Sequence, residues 1–309
     1  MSVVAVAGGT GSIGRTVVEE IVADGQFEVV ILSRKVDPEL EKTLGARILV
    51  ADYSNVDSLA ALLEDNQVQT VISALGGRTP PENEHALIQA SDKSNTTKRY
   101  IPSVWGVKYP REVSWFPIAA AKHAAFDALD KTSLEWTIVA NGFFLDYWGM
   151  PNVKSYLEPL VLIVDLAARK AAIPGSGDTP VVFTYTRDVA KFTAKLLTLK
   201  KWDPESYVIG DRLTWNEFVK VAEELRGEAF EVVYDSLELL EAGKVTELPS
   251  HVPAYQFFPK EALQGLLSQF GRLFDLGVFD FQPQRSLNSL FPEIKPVTIK
   301  EMLEIGIKK

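Results

Sequence analysis

The sequence predicts an α/β protein, a doubly wound parallel sheet with a smaller C-terminal substrate lobe. The first observation is Val3-Val4-Ala5-Val6-Ala7 running straight into Gly8-Gly9-Thr10-Gly11-Ser12-Ile13-Gly14. A short, valine-rich apolar run reads as a strand covered on both faces. Val17, Val18, Ile21 and Val22 then recur at helical spacing, so the turn opens a helix. The second observation is that short apolar runs keep alternating with helical stretches as far as Ala140, and the third is a looser pattern beyond Met150-Pro151. The predicted division is 1–152 with a returning segment at about 178–211 for the sheet domain, and 153–177 with 212–309 for the lobe.

The glycine-rich turn predicts a dinucleotide ligand. A helix N-terminus presents unpaired N–H groups and a partial positive charge, and residues without Cβ let a pyrophosphate approach them. Gly8, Thr10, Gly11, Ser12, Ile13 and Gly14 are therefore candidate cofactor residues. The second strand, Glu28 to Leu32, ends in Ser33-Arg34-Lys35, about twenty residues after the last glycine, where cofactor choice is made. An acid there would bind the ribose hydroxyls of NAD. Two cations, one a guanidinium suited to phosphate, predict NADP(H) held by Arg34 and Lys35.

A third strand spans Arg47 to Ala51, and Asp52 and Tyr53 lie where its end would meet the adenine. Ser54 is the expected cap of the next helix, with Asp57 at the capping-box position. The fourth strand, Val68 to Ala74, ends in Leu75-Gly76-Gly77, so Ala74, Leu75 and Gly76 bring backbone close to the cofactor. Pro80-Pro81 starts a helix to about Ser91, and Glu135 to Ala140 reads as one strand. Beyond it, Tyr156 to Lys170 reads as a helix roofing the cleft, and Val181 to Phe183 as a strand before a helix opened by Thr186. Asp188, in that helix's first turn, reads as offsetting free N–H groups. Thr214 with Glu217 and Thr298 with Glu301 read as capping boxes.

Composition narrows the function classes. With 309 residues, 46% of them hydrophobic, the chain can bury a large core. It has no cysteine, hence no disulfide, thiolate nucleophile or cysteine metal site, and His85, His123 and His251 show no ligand spacing. A formal charge of −9 without a basic tract argues against nucleic acid and anionic membranes as partners. The Lys200-Lys201 and Lys308-Lys309 pairs read as solvated charges. No apolar run reaches the roughly 18 residues that cross a bilayer, and Met1-Ser2 leads directly into the first strand, so the expected location is cytoplasmic.

Three later segments carry a resemblance. Lys98-Arg99-Tyr100-Ile101-Pro102-Ser103-Val104-Trp105-Gly106 resembles the K-R-F-x-P-S-x-F-G segment of NmrA-like and isoflavone reductase-like proteins, an atypical branch of the short-chain dehydrogenase/reductase superfamily. The wide G-x-x-G-x-x-G spacing upstream is similar to that superfamily. Lys122 on an alanine-rich helix and Asn141-Gly142-Phe143-Phe144 resemble two further family segments. The resemblance implies a Rossmann-type NADP-binding sheet, hydride transfer from NADPH, and a lysine at the position of Lys122 that places or supplies a proton. It also implies cofactor contacts from Ser103, Lys122, Asn141 and Phe143. Two departures stand out. Ile118 occupies the place of the tyrosine in Tyr-x-x-x-Lys, so the ordinary acid is absent, and Trp105 replaces a phenylalanine.

Aromatic residues crowd the stretch after the last strand. Phe144, Tyr147 and Trp148, with Trp105 and the distant Phe257, are candidate substrate contacts, which favours a bulky aromatic or alkaloid-like metabolite over a sugar or a small acid. Two other readings stay open. One is an NADP(H)-sensing regulator without catalysis, and the other a rearrangement, dehydration or cyclisation enzyme that keeps NADP as a scaffold.

Overall fold

The valines of the first run lie buried in β1 (Ser2–Ala7), at the centre of a six-stranded parallel sheet. A computed structural model describes residues 1–77 and 79–307; the Lys308-Lys309 pair lies outside the described residues. From β1 the chain runs through α1 (Ser12–Asp24), β2 (Phe27–Ser33), α2 (Pro38–Leu44), β3 (Arg47–Val50) and α3 (Val56–Asp65). It continues through β4 (Val68–Ser73), α4 (Pro81–Lys93), β5 (Arg99–Ile101), β6 (Trp105–Gly106), α5 (Pro117–Leu129), β7 (Glu135–Trp136) and β8 (Ile138–Ala140). The main sheet has the order β3-β2-β1-β4-β5-β7. The order reverses between β1 and β4, and at such a switch point the crevice beyond the carboxyl ends of the strands takes the ligand.

The chain forms two compact units. The first comprises Met1–Ala140, Thr186–Val208 and Arg285–Ile294; the second comprises Asn141–Tyr185, Ile209–Gln284 and the residues from Lys295 onward. The boundary differs from the one read in the sequence, because 141–152 and 178–185 belong to the second unit. Strand Pro180–Thr184 pairs there with Phe143–Phe144 in parallel and with Asp211–Thr214 antiparallel. A Cβ on Gly142 would fall 2.1 Å from the Val182 carbonyl oxygen, so the two segments are pressed together.

Three further local expectations are corrected. Residues 135–140 form two strands, because Thr137 separates β7 in the main sheet from β8, which joins β6 and Glu205–Tyr207 in a parallel three-stranded sheet. The cap of α3 is Asn55, whose side chain accepts the Ser58 N–H, while Ser54 bonds to Asp52. Asp57 pairs with Lys93 at 2.6 Å. The helix expected over 156–170 does not form. Pro159 removes a donor and would clash with the preceding turn, and Val161-Leu162-Ile163-Val164 is largely β-branched. The chain instead makes a hairpin, Val164–Asp165 against Lys170–Pro174, closed by the Ala168 N–H donating to Asp165 at 3.0 Å.

The capping boxes at Thr214 and Thr298 form, and Asp188 is buried with Lys191 at 3.0 Å. The core of the second unit is aromatic. Phe143, Trp148, Phe183, Trp215, Phe218 and Phe274 meet mostly edge-on or tilted, with centroids about 5 to 6 Å apart. Among the described residues no helix is long and apolar enough to cross a membrane.

Candidate active site

The glycine turn of the first unit divides its work among its residues. Gly8 has φ +78°, and a Cβ on it would lie 2.5 Å from the Ala74 carbonyl oxygen; a Cβ on Gly14 would lie 2.4 Å from the Gly8 oxygen. These two glycines let β1, the end of β4 and the start of α1 close on one another. A Cβ on Gly11 would meet nothing within 4 Å, so Gly11 is the residue that leaves open space for a ligand. Gly11 is the N-cap of α1, without a side-chain cap and without an acid in the first turn. The first intrahelical bond is donated by Arg15, so the N–H groups of Ser12, Ile13 and Gly14 precede it. Ser12 holds φ +50°, a conformation costing about 1–3 kcal/mol outside glycine, and such strain concentrates at ligand clamps. Thr10 is half-buried, Ser12 exposed and Ile13 buried, which leaves Ile13 only its main chain to offer.

Arg34 and Lys35 follow β2 directly, both exposed and without an ion pair among the described residues. Tyr53, after β3, is largely buried with its hydroxyl lacking a hydrogen-bond partner. Burial pushes that hydroxyl's pKa well up; Glu84 adds to the rise and Arg34 opposes it. Asp52, exposed beside Tyr53, organises its own turn. Its carboxylate accepts from the Ser54 hydroxyl at 2.6 Å and the Ser54 N–H at 2.9 Å, which hold its pKa below the usual range. This ties the turn together.

At the ends of β4 and β5 the polar contacts converge on Glu84 of α4. Its carboxylate accepts from the Ser73 hydroxyl (2.5 Å), the Tyr100 hydroxyl (3.1 Å) and the Ser103 N–H (3.2 Å). The Ser103 hydroxyl donates to the Leu75 carbonyl at 2.8 Å, and the Trp105 indole to the Ser73 carbonyl at 3.0 Å. Ala74 is buried and its N–H bonds to Ala7, while Gly76 is exposed with open space at its Cβ position. Trp105 is therefore braced against β4. The sequence does not single out Glu84, because an acid in a helix's first turn is ordinarily a solvated partner of the helix dipole.

Lys122 lies on α5, half-buried, with no ion pair or hydrogen bond among the described residues. Burial pulls its pKa below that of an ordinary lysine, and the Glu84 carboxylate opposes part of that fall. Ile118, one turn earlier, carries no acid, and the fully buried Tyr100 is committed to Glu84 with its pKa raised. Lys122 is thus a half-buried amine with a lowered pKa, and the residue one turn earlier offers no hydroxyl.

Within the second unit, Asn141 is fully buried and its Oδ1 has no hydrogen-bond partner; its main-chain oxygen accepts from Thr184 at 2.7 Å. The Phe143 ring contacts Tyr147, Trp148 and Phe274, and the Trp148 indole donates to the Val164 carbonyl at 3.0 Å. Both rings pack among the aromatic side chains of this unit. Phe144 and Tyr147 are half-buried, and burial pushes the Tyr147 hydroxyl's pKa upward. Phe257 is 84% exposed.

Known proteins are similar to this chain in sequence and fold. A family description, NAD(P)H-binding, matches residues 8–155. The oxidoreductase BOA1 of Botryotinia fuckeliana is 33% identical over 299 residues, covering 95% of each chain. The solved structure of AtPrR2 with NADP+ and (+)-pinoresinol is 26% identical with a TM-score of 0.74, covering 99% of this chain and 98% of the other. Leucoanthocyanidin reductase from Vitis vinifera, at 21% identity, shares the fold with a TM-score of 0.76 over 99% and 100% of the two chains. The open turn at Gly11, the cations after β2 and the glycine-packed switch point suit a phosphorylated dinucleotide. With these similarities they show that the chain belongs to the NmrA-like, isoflavone reductase-like family of NADP(H)-dependent oxidoreductases.

Proposed function

We propose that the chain reduces a bulky, mostly aromatic small molecule, with Lys122 supplying the proton that accompanies hydride transfer. The observation that carries this reading is the Lys122 amine, half-buried, lowered in pKa and without a partner of its own in the unit that holds the dinucleotide turn. NADPH supplies a hydride to an electron-poor carbon of the substrate. The electron pair displaced in the substrate takes a proton from the Lys122 ammonium, and solvent reprotonates the amine. Desolvation favours this, because it brings the ammonium closer in pKa to the working pH. The half-buried Phe144 and Tyr147, and the aromatic ligand named for AtPrR2, support an aromatic substrate.

NADPH deuterated at C4, supplied with racemic pinoresinol and with an isoflavone as probes, tests the reaction. Deuterium should enter a reduced product with one NADP+ formed per turnover. Ile118 favours a second reading, a rearrangement with NADP as scaffold, because the ordinary tyrosine acid is missing. An isomeric product without deuterium, formed with either oxidation state of the cofactor, would establish that reading instead.

Arg34 is proposed to read the 2′-phosphate, with help from Lys35. Arg34→Ala should weaken NADPH by roughly tenfold to a hundredfold and leave NADH little changed, since NADH lacks the charge-assisted contact. Calorimetric titration of both cofactors checks this, and equal loss for the two would remove Arg34 from phosphate recognition.

A further inference from the structure

We propose that His251 is a proton-operated latch in the second unit: its neutral ring holds the segment 248–258 down, and protonation in mild acid releases it. The inference is independent of the chemistry assigned to Lys122.

The geometry fixes the state of the ring. The Leu248 N–H donates to His251 Nδ1 at 3.2 Å, and the His251 N–H donates back to the Leu248 carbonyl at 2.9 Å. A main-chain N–H can only donate, so Nδ1 carries a lone pair and the neutral ring holds its proton on Nε2. Nε2 is enclosed without a hydrogen-bond partner among the described residues, and His251 is 1% exposed. A second proton would set an Nδ1–H against the Leu248 N–H, two donors face to face. It would also place a charge in an enclosed space.

Few side chains anchor this stretch. From Glu247 to Ala262 only Leu248 and His251 are buried, while Val252, Phe257 and Phe258 are exposed. A polar tie runs from the helical turn Pro249–Gln256 to the hairpin, where the Ser250 N–H donates to Asp165 at 3.0 Å. Segments with so little buried apolar surface open locally at small cost. Here one of the two buried side chains is titratable.

The charged groups acting on the ring are Asp165 of the hairpin and Glu247 just before the turn. Asp165 accepts from the Ala168 and Ser250 N–H groups, and Glu247 is held by Lys260 and the Tyr255 hydroxyl. Burial draws the His251 pKa below the ordinary 6.5; the Leu162 and Val161 carbonyls, Asp165 and Glu247 oppose this without cancelling it. The opened segment therefore takes a proton more readily than the closed one. The latch is at full strength above about 6.5 and loosens as pH falls through the window beneath that value.

Hydrogen exchange of the intact protein, followed by mass spectrometry at about pH 7.5 and pH 5.5 and corrected for intrinsic rates, reads the latch. Peptides covering 248–258 should open up to about tenfold more often at the lower pH. An opened histidine one unit below its ordinary value is protonated by about that ratio. His251→Asn keeps an acceptor in the place of Nδ1 and cannot titrate, so its corrected exchange in this stretch should be the same at both pH values. No acceleration in the unmodified protein, or equal acceleration in His251→Asn, overturns the proposal. If His251→Asn does not fold, the imidazole nitrogen spectrum of the unmodified protein decides. One ring should stay neutral, protonated on Nε2, below about 6.5, and three rings all titrating at or above that value overturn the proposal.

Discussion

Lys122→Met is expected to lower turnover by about a hundredfold to ten-thousandfold, the usual contribution of a positioned acid. NADPH affinity should stay within about threefold of the unmodified protein, because the binding turn, Gly8 to Gly14, lies on other elements. Stability should hold or rise, since methionine fills a similar volume and removes a half-buried ammonium that has no ion pair. That combination separates lost chemistry from lost structure. The pH dependence has a definite sign. The acid form of Lys122 is needed, and its folded pKa is lowered, so turnover should fall as pH rises through that lowered value, well before an ordinary lysine titrates. Stability should run the other way. The unfolded chain binds the extra proton between the folded value and the ordinary one, so folding gains from this residue as pH rises through that interval. Steady-state kinetics across pH and thermal melts of both proteins measure the two trends. Full turnover in Lys122→Met would end the proposed role.

Gly8→Ala should be the most damaging single-methyl change in the cofactor unit, and Gly11→Ala its opposite. At Gly8 the added Cβ would be 2.5 Å from the Ala74 carbonyl oxygen, and the backbone holds φ +78°. Backbone on both sides cannot yield as a side chain tip can. Overpacking at about 1–3 kcal/mol and a left-handed conformation at about 1–3 kcal/mol act together. A loss of about 2–5 kcal/mol is expected, enough to consume much of a domain's stability. At Gly11 the new Cβ meets no protein atom, and φ −158° suits any residue, so stability should change by no more than about 1 kcal/mol. NADPH binding should nevertheless weaken, because the methyl occupies the space left for the pyrophosphate. Chemical denaturation and cofactor titration of both variants test the division. Equal destabilisation by the two would mean that the turn is packed uniformly.

How much of this was legible beforehand depends on the range of the interaction. The strand, turn and helix of residues 3–22 are written in neighbouring residues, and so are the cations after β2 and the Thr214 capping box. Each rests on a backbone conformation or a hydrogen bond spanning a few positions. The alanine-rich run around Lys122 was likewise legible as the helix it forms, α5. The same local reading misjudged α3, because Ser54 and Asn55 are both competent caps and the choice turned on Ser54 bonding to Asp52. It also overestimated helix in residues 156–170, where periodic apolar residues outweighed Pro159 and the β-branched run.

The sequence by itself determined the parallel sheet and the NADP(H) cofactor, since both follow from residue type at short spacing. Only the tertiary structure decided which glycines are packed and which has open space, because Gly8 meets Ala74, 66 positions further along the chain. It likewise set the Phe143 and Trp148 rings among other aromatic rings and brought three donors to the Glu84 carboxylate. Enclosure of a ring and convergence of donors on a carboxylate are properties of residues distant in sequence, and a periodic pattern records which face of an element is apolar without recording what arrives to cover it.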